Sequence, residues 1–221
     1  MKVGAPIAPT KGFLSPMVQV KKAEVRDSIL DAAFQLFLKQ GYVGTSIADI
    51  GQAAGVAPSG IYVYFRSKLD LFYAVYHPWL KERLLGLERE LVDISGYRPK
   101  VRRIVETIWL DIPNEANFFA NNLMQAVSTA TKNDFYSGEM LEWCEKRVAL
   151  MLRSAAPRGR QSRDDHSELA HILFMAFNGF VVRSYLGVRA DKMTATIDTM
   201  TDLIIGPRSR PALTSVAGAL T

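Results

Sequence analysis

Apolar residues recur every three or four positions from residue 23 onward, which is the spacing that places them on one face of an α-helix. In the first such run the apolar face carries Val25, Ile29, Ala33 and Phe37, and most charged residues lie off it. Gly41 follows, and a glycine there can take the left-handed conformation that ends a helix. The pattern therefore predicts a first helix that starts near residue 23 and stops at this glycine.

A second long helical run is predicted from Lys68 to about Val92. Ser67 and Asp70 have the spacing of a capping box, which satisfies free amides at a helix start. Pro78 lacks a backbone N–H and crowds the preceding turn, so we expect it to kink or split this helix. The run would join the two halves of the chain without a linker.

Beyond residue 96 the pattern is helical throughout, and no stretch shows the alternation of a strand between turn signals. Helices are predicted near 100–111, 114–131, 134–156, 164–187 and 190–205. The predicted fold class is all-α, with a small N-terminal three-helix domain and a larger C-terminal helical bundle. The predicted divisions are a flexible N-terminal arm at 1–20, the three-helix domain at 21–67, the helical bundle at 68–206 and a flexible tail at 207–221.

The stretch 46–65 has the pattern of a helix-turn-helix. Gly55 can take the positive φ that the tight turn requires. Pro58 suits the first position of the second helix, where its missing N–H costs nothing. Ile61 and Phe65 lie four residues apart and face the core, so the opposite face of this helix is free to enter a DNA major groove.

This part of the chain, over about residues 23–75, closely resembles the signature of the tetracycline-repressor (TetR) family. The resemblance is carried by Gly41-Tyr42, Thr45-Ser46, Ile50, Ala54-Gly55-Val56, Tyr62-Val63-Tyr64-Phe65 and Ser67-Lys68. It implies a ligand-responsive DNA-binding regulator, in which Thr45, Tyr62, Tyr64 and Lys68 contact DNA phosphates. Gly51 departs from the family pattern, where alanine is usual, at an expected cost of about 0.5–1 kcal/mol.

The chemistry of the residues adds to these roles. Thr45 and Ser46 offer hydroxyls and free amides at a helix start, which suit a phosphate oxygen, and Lys68 adds a cation. In isolation a tyrosine on a helix is more often half-buried packing, and a lone lysine is usually solvated, but here these features occur together at the right spacing. Lys21 and Lys22 could reach an adjacent groove. The outward residues left to read bases are small, namely Ala57, Pro58, Ser59, Gly60 and Val63. Ala57 stands where the family often has Ser or Thr, so the second helix is expected to lack a side-chain cap.

The central helices are rich in large apolar residues, which position by position are more often core than ligand-binding. The resemblance implies an inducer pocket among them, and a pocket with such a lining takes a largely hydrophobic small-molecule effector. The candidate ligand-binding residues are Trp109, Phe118, Met124, Trp143, Phe174, Phe177 and Asn178. Asn178 is the best candidate for orienting a ligand, although a place in the core or in an interface would explain it as well.

The last two predicted helices carry apolar residues on almost every side, so more than one side must be covered. Pairing 164–187 and 190–205 across a two-fold axis gives the four-helix homodimer interface that the resemblance implies. The two DNA-binding heads would then face half-sites about one helical turn (~34–36 Å) apart on double-stranded operator DNA, so a near-palindromic operator is expected. Ligand binding is expected to change the spacing of the heads, with the helix after Ser67 transmitting the shift and releasing a repressor from its operator.

Composition narrows the alternatives. The 221 residues carry a net charge of +5, a mild bias toward nucleic acid or an anionic surface. One cysteine, Cys144, and the lack of any long apolar run predict a cytoplasmic protein without a membrane segment. No motif of an enzyme or cofactor site is visible, and His166 and His171, five apart, do not share a helix face for a metal, so neither catalysis, cofactor nor metal is expected. A helical module that binds lipid surfaces is the remaining alternative, but the charges of residues 23–40 are mixed in sign.

Overall fold

The computed structural model describes residues 16–117, 119–131, 138–159, 161, 165–186 and 191–206. All regular structure in these ranges is helical, which confirms the all-α prediction. The helices are α1 (Pro16–Gly44), α2 (Ile47–Ala54), α3 (Pro58–Ile61), α4 (Lys68–Asp93), α5 (Tyr97–Glu106), a π-helical turn (Thr107–Asp111), α6 (Ile112–Asn114), α7 (Asn121–Thr129), α8 (Glu139–Ala155), α9 (His166–Tyr185) and α10 (Asp191–Ile205). No helix in these ranges combines the length and apolarity needed to cross a membrane.

Helix α1 starts earlier than predicted. It begins at Pro16, so the expectation of a non-helical arm through residue 20 is wrong for residues 16–20. The physical reason is that a proline in the first helical turn gives up an N–H that has no partner there in any case. At its other end the backbone leaves the helical conformation at Gly41 (φ 76°, ψ 169°), as the glycine there predicted. The rest of the predicted arm, residues 1–15, and the predicted tail at 207–221 lie outside the described residues.

Local signals set the helix-turn-helix. The Ser46 hydroxyl accepts from the Asp49 N–H, and the Asp49 carboxylate accepts from the Ser46 N–H, which closes a capping box at the start of α2. Gly55 ends α2 in the left-handed conformation (φ 68°, ψ 29°), as predicted. Helix α3 follows with Pro58 in its first turn, and its N-cap residue Ala57 makes no side-chain capping bond, also as predicted.

Gly51 fills a position that only glycine fits, rather than weakening α2. The Val56 N–H donates to the Gly51 carbonyl (2.8 Å), which draws the turn against the helix. A Cβ on Gly51 would lie 2.6 Å from the Val56 carbonyl oxygen, closer than backbone atoms tolerate. The interpretation that Gly51 weakens α2 is therefore wrong, because the close approach of the two backbone segments requires a glycine at this position.

Helix α4 is continuous from Lys68 to Asp93, so the expectation that Pro78 splits it is wrong. Pro78 is exposed, and its ring lies on the solvent side of the helix while one side of α4 packs into the core. The Ser67 hydroxyl caps the first turn by accepting from the Asp70 N–H (3.0 Å), as the sequence predicted.

The C-terminal helices differ from the prediction between α5 and α7. The predicted helix 100–111 begins at Tyr97 and ends in a π-helical turn, and the predicted helix 114–131 begins only at Asn121. Ala116 and Asn117 have positive φ, which breaks the helix after α6. The predicted helix 134–156 is described from Glu139, while α9 and α10 match their predicted ranges closely. Arg98 pairs with Asp202, which holds α10 on α5.

We predict that Gly51→Ala lowers the free energy of unfolding by about 1–3 kcal/mol, because the added methyl group overpacks the turn at the Val56 carbonyl. Gly86→Ala is the matched control. It lies inside α4, where the nearest atom to an added Cβ is 3.8 Å away, so it should raise stability by about 0.5–1 kcal/mol. Urea denaturation measures both, and equal effects of the two substitutions would contradict the steric argument.

Candidate DNA-binding surface and effector cavity

The segment from Pro58 to Val63 projects from the protein as an exposed rod. Ile61 is fully buried and fixes the rod on α2, while Tyr62 and Val63 remain 55% and 71% exposed. Pro58 and Ser59 are also exposed, and Gly60 is half-buried against Val56. The sequence-predicted base-reading residues thus lie together on one outer face.

Thr45 does not have the exposed position that a phosphate contact requires. It is 1% exposed, and its hydroxyl donates to the Gly41 carbonyl (2.8 Å). A phosphate oxygen has no proton to donate, so a hydroxyl whose only proton is committed inside the fold has nothing to offer it. The expected phosphate contact of this side chain is therefore wrong. Its role is to hold the corner between α1 and α2.

Ser46 is exposed, but its hydroxyl proton is also committed. It donates to the Asp49 carboxylate (2.7 Å), and these bonds from Ser46 lower the pKa of Asp49. What the start of α2 still offers an anion is its first-turn backbone amides, which have no acceptor within the helix.

Lys68 lies half-buried at the start of α4, beside the same corner. Its ammonium group stands 4.2 Å from the centre of the Tyr42 ring, which is a cation–π contact. Burial lowers the pKa of Lys68, and the nearby Asp49 carboxylate opposes that shift. Tyr64 is half-buried and Tyr62 is more exposed, so the two tyrosines differ in how far they reach toward solvent.

A cavity of about 110 Å³ lies in the C-terminal part of the protein, between α4, α8 and α9, with Leu123 of α7 on one wall. Three of the sequence-predicted ligand residues, Phe174, Phe177 and Asn178, line it. Phe174 and Phe177 are buried, whereas Asn178 is exposed and lies at the mouth.

Three other predicted ligand residues do not line this cavity. Trp109 is core, since its indole N–H donates to the Leu173 carbonyl (2.9 Å) and its ring stacks on Phe180. Trp143 is half-buried with the Lys81 ammonium 5.3 Å from its ring centre, and Met124 packs partly buried against the core. This cavity therefore gives no support to these three assignments. Phe118 lies outside the described residues.

The sequence analysis missed the wall that α4 contributes. Tyr73, Tyr76, His77 and Leu80 face the cavity at the spacing of one helix face. That spacing was readable from the sequence, but α4 was interpreted as a connector rather than as part of the pocket. Helix α8 adds four further lining residues, namely Met140, Leu141, Cys144 and Glu145.

The polar groups of the cavity are few and distinct in chemistry. Tyr76 is 1% exposed, and among the described residues its hydroxyl has no hydrogen-bond partner. Burial raises the pKa of the Cys144 thiol to about 12 and lowers the pKa of His77. Both groups are therefore neutral near pH 7. The Glu145 carboxylate is partly buried, with Oε1 2.9 Å from Nδ1 of His171.

Two amide side chains of α7 bind the end of α1. The buried Asn122 accepts from the Tyr42 N–H through Oδ1 (2.5 Å) and donates to the Phe37 carbonyl through Nδ2 (3.4 Å). Gln125 accepts from the Val43 N–H (3.1 Å). The corner that leads into the helix-turn-helix is therefore held by hydrogen bonds from the C-terminal part of the protein.

Packed aromatic rings make a second connection between the cavity and that corner. Tyr76 contacts Phe72 (5.1 Å between ring centres) and Phe119 (5.8 Å). Phe72 in turn contacts Phe37 (5.5 Å) and Tyr42 (5.3 Å) of α1 and its corner. Tyr76 thus belongs to both the cavity wall and the aromatic cluster, defined here as Phe37, Tyr42, Phe72, Tyr76 and Phe119.

The model of the bacterial regulatory proteins of the tetR family matches residues 29–75, which cover the end of α1, the helix-turn-helix and the start of α4. Residues 29–75 belong to the TetR family. The match confirms the predicted helix-turn-helix, and the TetR family is one of transcriptional regulators.

The chain is also similar to individual proteins, both in sequence and in fold. The chain is 45% identical over 63 residues to the transcriptional regulator AcrR of Shigella flexneri, a match that covers 28% of each chain. The chain thus spans about a quarter of that relative's length. Two solved structures share the fold, each with a TM-score of 0.57: the regulator FadR of Bacillus subtilis in complex with stearoyl-CoA and a transcriptional regulator of Saccharomonospora viridis in complex with choline.

The two structural likenesses cover most of each chain at low sequence identity. FadR is 16% identical, and the match covers 81% of this chain and 97% of FadR. The S. viridis regulator is 22% identical, and the match covers 83% of this chain and 94% of that protein. At such identities the likeness establishes the shared fold.

We predict that Asn122→Leu lowers the free energy of unfolding by about 1–3 kcal/mol, because it removes the Asn122 oxygen that accepts from the buried Tyr42 N–H. Asn114→Ala is the control, since its amide donates to the Leu110 carbonyl at an exposed position and should change stability little. Thermal and urea denaturation check the pair. An Asn122→Leu protein as stable as the parent would show that this bond does not hold the corner.

Proposed function

We propose that the protein is a DNA-binding transcriptional regulator that acts as a homodimeric repressor and is released from its operator by a small molecule. The observation that carries the proposal is the exposed rod at Pro58–Val63, which the buried Ile61 holds on a family-typical helix-turn-helix. A short exposed helix on such a scaffold has the shape that enters a major groove. We assign residues 21–67 to DNA binding and 68–206 to effector binding and dimerisation.

The DNA contacts divide by chemistry. The exposed phenol of Tyr62, the half-buried Tyr64 and Lys68, and the first-turn amides that follow Ser46 are proposed to bind phosphates. Val63 stands furthest into solvent and offers methyl groups for contact with thymine. Base reading is proposed for the outer face of the rod, which carries Pro58, Ser59, Gly60 and Val63.

We predict that genomic fragments selected by the protein at physiological salt contain a near-palindrome, with half-sites about one helical turn apart.

On such a fragment, Tyr62→Phe should weaken binding about fivefold through loss of one hydrogen bond, and it should weaken binding to unrelated duplex DNA by the same factor. Val63→Ala should weaken binding to the selected fragment alone. Lys68→Ala should weaken binding to both and lower the slope of log affinity against log salt by about 1.

Val92→Ala is the matched control for the valine, because Val92 is equally exposed but lies near the far end of α4. Fluorescence anisotropy of labelled duplexes measures all four variants. Selected fragments without any common sequence, or a Val63→Ala effect that is the same on every duplex, would argue against base reading by this rod.

The proposed dimer forms through α9. Exposed residues with spacings of 3, 4, 3 and 4 run along one side of this helix and its end: Ile172, Met175, Gly179, Val182 and Leu186. A repeat of 3.5 residues is the seam along which two helices pair. Leu203 of α10 is exposed as well. Such apolar residues gain about 25 cal/mol for each Å² they bury, so a second copy pairing the last two helices is favoured.

Gly179→Arg tests the dimer without disturbing the protomer, because no other part of the described chain lies within 4 Å of a Cβ placed at Gly179, apart from its own stretch of helix. We predict that it lowers the mass in solution from twice 24.6 kDa to 24.6 kDa. The reason is that two arginines would meet at the centre of the seam. Leu150→Arg, an exposed apolar position on α8, is the control and should leave the mass unchanged. Light scattering after gel filtration decides, and a dimeric Gly179→Arg protein would place the interface elsewhere.

The proposed effector binds the cavity between α4, α8 and α9. The solved structures with bound stearoyl-CoA and choline support a ligand-responsive mechanism, since they share this fold. Tyr76 connects the cavity to the aromatic cluster, and Phe72 connects the cluster to the corner at Tyr42. A ligand that binds one arrangement of this cluster better than another changes the position of the DNA-binding head. A coupling of about 1–3 kcal/mol suffices to regulate.

A further inference from the structure

The charge of the cavity wall points to the class of effector, an inference that rests on the proposed effector function. Glu145 is the charged side chain of the wall, and the wall contains no lysine or arginine in the part of the chain that the structure describes. His77 lines the cavity as a neutral ring, because burial lowers its pKa. Lys81 is exposed, lies over the Trp143 ring and is not among the lining residues. A carboxylate or phosphate ligand would meet the like charge of Glu145 there.

The Glu145 carboxylate can accept a further hydrogen bond. Its Oε1 lies 2.9 Å from Nδ1 of the exposed His171, and its Oε2 has no hydrogen bond to any described residue. A carboxylate has about four lone-pair positions, of which this contact uses one. A cationic donor in the cavity would form a charge-assisted hydrogen bond to Glu145. This bond is stronger than one at the exposed surface, because the wall is largely apolar.

Tyr76 supplies the second polar group. Its hydroxyl is buried in the same wall and lacks a partner among the described residues. An unsatisfied buried hydroxyl costs free energy, and a ligand N–H that donates to the phenol oxygen recovers part of that cost. The phenol oxygen accepts from an N–H group, which a quaternary ammonium ion lacks. The pair of acceptors therefore favours a head group with several N–H donors.

Size limits the rest of the ligand. The cavity of about 110 Å³ is smaller than the ~150 Å³ space that holds one benzene molecule. The head group and a few carbons fit inside, and a longer chain must leave through the mouth. The exposed apolar residue Leu141 lies there and can cover such a chain.

We propose that the cavity binds a primary or secondary alkylammonium ion, whose N–H groups are shared between the Glu145 carboxylate and the Tyr76 phenol oxygen while its alkyl chain runs past Leu141. The neutral Cys144 thiol packs beside the head group and takes no charge from it. The ligand enters as the cation, because an alkylamine, like a lysine side chain, is protonated at pH 7.

The test compares three ligands of one chain length at pH 7: hexylamine, hexanol and hexanoate. Calorimetric titration of the full chain should show hexylamine binding about tenfold or more tightly than hexanol, with hexanoate weakest, since a charge-assisted hydrogen bond exceeds a neutral one by about that factor. Glu145→Gln should remove the preference for the amine and leave hexanol within about twofold. Tyr76→Phe should weaken the binding of hexylamine. It should also weaken the binding of hexanol more than Glu145→Gln does.

Glu142→Gln is the matched control, because it removes the same charge from an exposed position on the same helix. It should leave the three affinities unchanged. Equal binding of the amine and the alcohol, preference for hexanoate, lack of binding by all three, or an equal effect of Glu142→Gln would each overturn the inference. Operator affinity is measured in parallel. Amine binding that depends on Glu145 but leaves the DNA complex intact supports this inference and contradicts the proposed release mechanism.

Discussion

The corner between α1 and α2 depends on groups that belong to the other end of the molecule. The Tyr42 N–H has left the helix, so it needs an acceptor, and the buried Asn122 of α7 provides it. The Tyr42 ring lies against Phe72 on one side and under the Lys68 ammonium on the other. The direction in which the DNA-binding head leaves the bundle is therefore fixed by contacts with α4 and α7, and not by the helix-turn-helix itself.

This arrangement puts the proposed effector cavity close to the proposed DNA-binding head. Lys68 and Tyr76 are eight residues apart on α4, which is about 12 Å along a helix. A packed aromatic cluster covers that distance, and packed rings have discrete arrangements rather than a continuum. A ligand at Tyr76 thus needs to favour only one arrangement of rings to change the corner, and no large movement has to travel through the bundle.

Features encoded within a few residues were the ones that the sequence could predict. The Ser46 and Ser67 caps, the positive φ of Gly55 and the uncapped Ala57 follow from local chemistry, and each is present in the structure. Burial of Thr45, the close approach at Gly51 and the cavity wall on α4 depend on which segments meet in three dimensions. Of the candidate ligand residues, Phe174 and Phe177 line the cavity and Trp109 does not, because periodicity identifies a buried face but not the part of it that borders an empty space.

Helix α9 has one face toward the cavity and another in the proposed dimer interface, and this constrains how a ligand could act. Phe174 and Phe177 face the cavity, while Ile172, Gly179 and Val182 form the proposed seam on the outside. With α9 held by its counterpart in a dimer, a ligand that enlarges the cavity cannot push this wall outward without breaking the seam. The opposite wall is α4, which is tied to the corner through Phe72. The displacement is therefore directed at the DNA-binding head, so dimerisation would be a condition of effector response as well as of operator recognition.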